Sequence, residues 1–496
     1  MRPVPAIALL MAFAAFGIAN AKPQSTDGPS PATDTASDQS GSHTDDPLPS
    51  PGAAEALPKA SAYERVIGNF PVSPSLFPIV NQRSGWLRRH GTIVQFDNLN
   101  EFMAAVTAPT PGHGYRQGSS NAGQYALNVL TDWDRLLGWS GFTTHAVVVG
   151  RYGTTANRMF GDWLAHSQET YGGGGNVVVH LVMAYGEQHL LEDRLAIAAG
   201  RMAQLSDFAT GSLFCTFMNN SFCGRPKGAS DSIYYSSYPS SVWAARVRFR
   251  PLRRDIYVQT GVYFAEEGIF SPARNRSGFH LSGAYHVGEI FPVEVGWQPN
   301  FRRRSGEVAF PGHYKLGFAV ERVTRDENFL DSLGNPYSES GFSAARSNGS
   351  WSSWFLMDQR LWTSRKHTKT GLSLLAGAVL NSPKTALRDR QFYAGLILNG
   401  FWTSRPSDTI GLAFSYMHIA NGVQKTEERL LMQNKPLPYR ATGVQTDAEV
   451  IELNYGFPIG RAITMEPDIQ YYHHPNGQRN LRDAVMLGFR SHVEIF

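Results

Sequence analysis

From about residue 93 the sequence alternates apolar with small or polar residues at a period of two, in segments of roughly ten residues. Few folds accommodate that pattern. Arg246, Arg248 and Arg250 alternate with Ala245, Val247 and Phe249. Tyr257, Gln259 and Tyr263 alternate with Ile256, Val258 and Val262, and Glu294 and Gln298 with Val293, Val295 and Trp297. Lys315, Gly317 and Ala319 alternate with Tyr314, Leu316 and Phe318. Successive side chains of a strand face opposite sides, so each segment carries one apolar face and one wet face. A soluble sandwich and a transmembrane barrel both satisfy this. The segment length matches the 9–11 residues that cross a bilayer at a tilt. Many polar positions are charged, which a barrel turns into its lumen, and the connections alternate short and long. The expectation is a 16-stranded antiparallel transmembrane β-barrel, an all-β outer-membrane protein.

The expected strands begin at Ile93, Gln124, Phe142, Val177, Arg194, Val242, Ile256, Pro292, His313, Trp351, Leu372, Gln391, Thr409, Ala448, Ala462 and Ala484. Their number is even, as a single-chain barrel with both ends on one side requires. Long loops are expected at 154–176, 206–241, 267–291, 324–350 and 421–447. Trp133, Trp139, Trp362, Trp402, Tyr471 and Tyr472 lie near strand ends and suit interface girdles. The chain ends in Phe496, a terminal aromatic of the kind the barrel-assembly machinery reads. Val485, Leu487, Phe489 and Val493 share one phase and Phe496 the other, which a bulge near Glu494 would repair.

The N-terminus reads as an address. Arg2, the apolar run Ile7–Ile18 and Ala19-Asn20-Ala21 form a secretory signal peptide over 1–21, cut after Ala21. Residues 22–60 are a Pro/Ser-rich linker without aromatics, with six acids against two lysines, and are expected to be disordered. A short periplasmic helical segment is expected over 61–92, followed by the barrel domain at 93–496.

Composition excludes other classes. Charged residues are 17%, and no apolar run beyond the N-terminus is long enough for a helical span. A net charge of +4 is too small to argue for nucleic acid. In an exported chain, Cys215 and Cys223 are expected to form one disulfide closing a small loop. No G-x-S-x-G elbow or H-E-x-x-H motif occurs, so no catalytic residue is assigned and no enzyme, cofactor or metal is expected. His473-His474-Pro475 could bind metal, but adjacent strand residues point to opposite faces, which favours an interface or loop feature. YGGGGN (171–176) lacks the Lys-Ser/Thr of a phosphate loop and reads as an outer loop.

The segment GRMAQLSDFATGSLFCTFMNNSFCG (200–224) resembles the third-loop region of the carbohydrate-selective porins of the OprB family. FPVEVGWQPN (291–300), PGHYKLGFAVE (311–321), YVQTGVYFAEEG (257–268) and LMDQRLW (356–362) are similar to that family too, with FGDW (160–163) a weaker match. The family's N-terminal segment opens with an acidic-Trp-Gly pattern; SGWLRRHG (84–91) keeps the Trp and the basics without the acid. The resemblance implies a porin for passive diffusion of monosaccharides, glucose above all.

Such a pore needs an inward-folded loop to narrow it, and 206–241 is the candidate. Sugars stack on aromatic rings and pair their hydroxyls with amides, carboxylates and guanidinium groups. The candidate contacts are Arg201, Asp207, Phe208, Asn219 and Asn220 in or beside the loop. On the wall they are Arg246, Arg248, Arg250, Glu294, Gln298, Lys315, Asp358 and Arg360. The expected partners are small sugars and outer-membrane lipid; a homo-oligomer is left open. The alternatives are a general or anion-preferring porin and, further off, an outer-membrane hydrolase.

Overall fold

The computed structural model describes residues 75–170, 176–211, 213–223, 225–230, 233–251, 255–283, 285–302, 309–364 and 370–496. The expected signal peptide and linker lie outside these residues. Among the described residues sixteen long antiparallel strands close a barrel. They are β1 (Thr92–Ala105), β2 (Gly118–Asp132), β3 (Phe142–Gly153), β4 (Val177–Leu190), β5 (Leu195–Met202), β6 (Val242–Phe249), β7 (Ile256–Glu266) and β8 (His286–Trp297), then β9 (Ala309–Glu321), β10 (Ser350–Thr363), β11 (Gly371–Asn381), β12 (Arg388–Asn399), β13 (Thr409–Ile419), β14 (Asp447–Ile459), β15 (Ile463–His473) and β16 (Ala484–Glu494). Each pairs with its sequence neighbour, and β1 closes the ring on β16 through Asp97↔Glu494 to Ala105↔Met486. Closure leaves no ladder edge in the hydrocarbon, where an unpaired amide would cost several kcal/mol.

Side-chain phase makes this a membrane barrel. On β9, Lys315, Gly317, Ala319 and Glu321 are buried, whereas Leu316, Phe318 and Val320 point outward, Leu316 with 63% of its surface exposed. On β6, Arg246 is buried and Arg248 half-buried on the inner side, while Val247 and Phe249 face out. A soluble protein would bury the opposite set.

Two pairs of neighbours depart from the expectation. Trp139, Trp362, Trp402 and Tyr471 are exposed at strand ends, but Tyr472 is 1% exposed and faces the lumen. Tyr471 and Tyr472 are adjacent on β15, so only one can join the girdle. The rings of His473 and His474 do not diverge. His474 takes a left-handed φ of 50°, which ends the strand alternation and stacks the imidazoles with centroids 3.8 Å apart. Asp483 and Asp447 hold their Nδ1 atoms at 3.0 and 3.1 Å.

The chain terminus contains the expected bulge. Asp97 pairs with Glu494, and the Phe96 carbonyl then accepts from both the Ile495 and Phe496 amides at 2.9 Å. Two residues oppose one, which shifts the phase of Phe496.

Strand starts match the period-two reading within one residue except at Gly118, His286, Ala309 and Arg388, which extend the expected strands toward their N-termini. The long loops carry structure that the alternation does not encode. In 322–349 a small hairpin forms from Arg325–Asp331 and Ala344–Ser347, and in 420–446 a helix spans Asn421–Met432. Thr426 donates to the Asn328 carbonyl at 2.6 Å and Arg429 pairs with Glu339 at 2.9 Å, which ties that helix to the hairpin.

Glu427, on the buried side of this helix, accepts from the Gln445 amide at 2.8 Å. Burial pushes its carboxyl from 4.5 up to about 8. The folded loop therefore prefers the protonated acid, so its stability is full below about pH 4.5 and falls as pH rises through about 8. Hydrogen exchange over 421–432 should accelerate across that window in the wild type, beyond the intrinsic rate, and Glu427→Gln should abolish the excess.

Candidate functional site

The chain between β5 and β6, residues 203–241, turns into the barrel and crosses it. It opens with the short helix Gln204–Asp207, and the Leu205 amide donates to the Ser236 carbonyl at 2.9 Å, tying the two ends of the loop together. A loop in this position hides its backbone from bulk water without a sheet to pair with. Each hidden amide and carbonyl then needs a partner from the wall.

Acceptors on the wall take the loop's N–H groups. Glu294 on β8 is fully buried and accepts from the Ala209 amide at 3.0 Å. It also accepts from Tyr257 Oη at 2.9 Å, Gln259 Nε2 at 3.0 Å and Trp354 Nε1 at 2.8 Å. Glu452 on β14 receives the Met218 and Asn219 amides at 2.5 and 2.9 Å. Gln391 on β12 receives the Gly228 amide at 2.6 Å, and Glu321 on β9 receives that of Tyr234.

Donors on the wall take the loop's carbonyls. Lys315 reaches that of Thr210 at 2.8 Å, and Gln259 that of Asp207 at 2.7 Å. Asn381 reaches Gly228 at 2.7 Å. Arg490 on β16 reaches Cys215 at 2.9 Å while paired with Glu466 at 2.7 Å. Anchors on β7 to β9, on β11 and β12, and on β14 to β16 mean that the loop spans the lumen.

Glycine makes one anchor fit. At Gly317 a Cβ would lie 2.1 Å from the Trp354 indole, so a side chain there would displace the ring that donates to Glu294.

The preceding long loop also folds inward. The Thr170 amide donates to Glu101 on β1 at 2.8 Å, and the Asn220 amide donates to the His166 carbonyl at 3.0 Å, joining the two loops. The YGGGGN stretch lies outside the described residues apart from Asn176.

Most of the expected sugar contacts sit between loop and wall. Arg201 pairs with Glu266 at 2.6 Å. Asp207 binds Arg246 and accepts from Tyr263 Oη at 2.7 Å, and Arg246 also pairs with Glu187 at 2.7 Å. Phe208 is fully buried, its ring edge-on to Tyr263 at 6.0 Å. Asn219 donates to Gln470 at 2.8 Å and Tyr472 at 2.6 Å, while Asn220 Oδ1 receives the His166 amide at 2.9 Å.

The others lie toward the end with short connections. Arg248 is half-buried and donates to Gln259 at 2.9 Å; Arg250 lies 4.0 Å from Asp193. Arg360 donates to Asn399 at 3.0 Å, and Asp358 pairs with His313 at 2.8 Å. The Gln298 amide donates to the Asp255 carbonyl at 2.6 Å. Among the described residues of the crossing loop, Thr210, Gly211, Leu213, Cys215, Thr216 and Tyr234 are half-buried.

Cys215 and Cys223 stand as two thiols with sulfurs 2.9 Å apart, where a disulfide was expected; the chain already holds them in mutual reach. Sequence reasoning missed Glu452, Gln470, Arg490, Glu321 and Gln391. Their signal was present in phase: Glu452 and Asn454 alternate with the outward Ile451 and Leu453. What alternation leaves out is which inward residue meets which loop atom.

Comparison with known proteins places this architecture. The family model "Carbohydrate-selective porin, OprB family" matches residues 116–495. Porin B of Pseudomonas aeruginosa is 30% identical over 411 residues, covering 80% of this chain and 86% of that protein. The putative porin QuiX of Acinetobacter baylyi is 26% identical over 387 residues, covering 76% and 84%. The high-pH structure of Pseudomonas putida OprB superposes with a TM-score of 0.77 at 24% identity, covering 85% of this chain and 98% of that one. A closed barrel crossed by its third long loop, together with these matches, makes the chain a member of the OprB family of carbohydrate-selective outer-membrane porins.

Proposed function

We propose that this porin passes monosaccharides such as glucose by passive diffusion, through an eyelet bounded by the half-buried residues Thr210, Gly211, Leu213, Cys215 and Thr216 of the crossing loop. The observation that carries this reading is the double anchoring of that loop, with wall acceptors on its amides and wall donors on its carbonyls. A constriction fixed in this way discriminates by size and shape at little entropic cost. It also leaves few strong groups free to trap a sugar, and a pore must release what it admits. In this reading Arg201, Asp207, Asn219, Arg246, Glu294 and Lys315 position the loop. Arg248, Arg250, Gln298, Asp358 and Arg360 bound the passage toward the short-connection end, and Arg248 offers its guanidinium to hydroxyls.

The same reading includes export by a signal peptide cut after Ala21, recognition of the strand ending in Phe496 by the barrel-assembly machinery, and oxidation of Cys215 and Cys223. Denaturing the purified mature protein without reductant should then expose no reactive thiol, and reductant should release two.

Liposomes carrying the mature chain should swell in isotonic glucose faster than molecular size predicts, with saturation, and slowly in a disaccharide. Rates that follow size alone, or that favour a small anion, would leave the barrel and remove glucose. Glu294→Ala should strip four donors of their acceptor and cost at least about 3 kcal/mol. It should raise disaccharide entry relative to glucose, with Glu294→Gln intermediate.

A further inference from the structure

The helix Pro78–Arg89 enters β1 through His90 and Gly91. It starts beside the end of β16, where the Leu76 amide donates to the Glu494 carbonyl at 2.9 Å. It ends against the turn after β2, where a Cβ on Gly91 would lie 2.8 Å from the Asp132 carbonyl. The helix therefore follows the rim of the barrel beneath β16, β1 and β2, at the end with short connections.

Its exposed face carries an apolar pair. Ile79 is 67% exposed and Trp86 is 53% exposed, seven residues apart and hence two turns along one face. Phe77, just before the helix, is half exposed too. The neighbouring turn adds Leu137 and Trp139, both exposed, with Trp139 stacked on Trp133 at 5.7 Å. Trp133 donates to Thr144, on the outward phase of β3, so this turn borders the barrel's lipid-facing surface. The helix has no acidic residue, and Arg83 and Arg89 flank the apolar pair on its exposed side.

We infer that this helix is an interfacial foot, with Ile79 and Trp86 seated in the adjacent membrane leaflet and Arg83 and Arg89 at its anionic phospholipid headgroups. Two features choose lipid as the occupant. The helix ends against a turn that borders a surface already facing lipid, and its charge is opposite to that of an anionic headgroup layer. An apolar face flanked by arginines, beside a tryptophan pair at a strand end, has the composition that stabilises a helix in the plane of an interface.

The test uses the full mature chain in phosphatidylethanolamine/phosphatidylglycerol vesicles. A fluorophore is placed at Ile79→Cys or Trp86→Cys, in a Cys215→Ser/Cys223→Ser background, with Leu333→Cys in an outer loop as the water-exposed control. A nitroxide near the lipid headgroup should quench the labels at 79 and 86 severalfold more than the label at 333, and aqueous iodide should do the reverse. Iodide access equal to that at 333 would overturn the inference. So would protection from both quenchers, which would mean that protein, either the 22–60 segment or a second copy, covers the face. If the serine background fails to fold, brominated phospholipid quenching of wild type against Trp86→Phe leaves the cysteines in place. Loss of a quenchable component in W86F supports the foot, and unchanged quenching sinks it.

Discussion

The structure depends on one constraint: a loop of nearly forty residues cannot be sealed inside a barrel unless the wall supplies hydrogen-bond partners for its backbone. A strand satisfies its amides through its neighbours, whatever its side chains are. The crossing loop has no such neighbours. Glu294, Glu452, Glu321 and Gln391 accept its amides, and Lys315, Arg490, Gln259 and Asn381 donate to its carbonyls. The polar residues that make the inner wall wet are thus committed to holding the loop. Removing one is costly because the buried backbone group it served is left unpaired.

The charge distribution follows from the same constraint. Both acids and cations face the loop because a peptide backbone presents both donors and acceptors. Arg246 shows the coupling: it joins Asp207 of the loop to Glu187 of the wall, and Asp207 also receives Tyr263. Arg490 likewise holds Glu466 and the carbonyl of Cys215 together. Such networks rigidify the loop they hold.

The barrel was legible in the sequence because lipid on one side and water on the other impose period two on every strand, and the strand starts follow. The same rule explains the slips. Tyr471 and Tyr472 cannot both face lipid on one strand, and the left-handed turn at His474 cancels the alternation on which the opposite-face argument for the histidines rested. The crossing loop was legible as an inward-folded segment from its place among the long loops and its family likeness. Its anchors were not, because they lie on strands up to 275 residues away, and only the closed ring brings them to the loop. The hairpin and helix of the long loops follow no membrane periodicity and left no such trace.

That distance bears on how selectivity is built. Side chains that suit sugar hydroxyls in isolation, such as Asp207, Asn219, Arg246 and Glu294, also suit peptide groups, and a buried backbone competes for them at far higher local concentration than any solute. Once they are engaged, the strongest partners in the lumen are unavailable to the permeant. In the reading proposed above, the permeant meets instead the half-covered residues Thr210, Gly211, Leu213, Cys215 and Thr216. A passage lined in this way holds a solute loosely. On the proposed reading, discrimination then comes chiefly from the width that the anchors fix, and residues that never touch a sugar set which sugar passes.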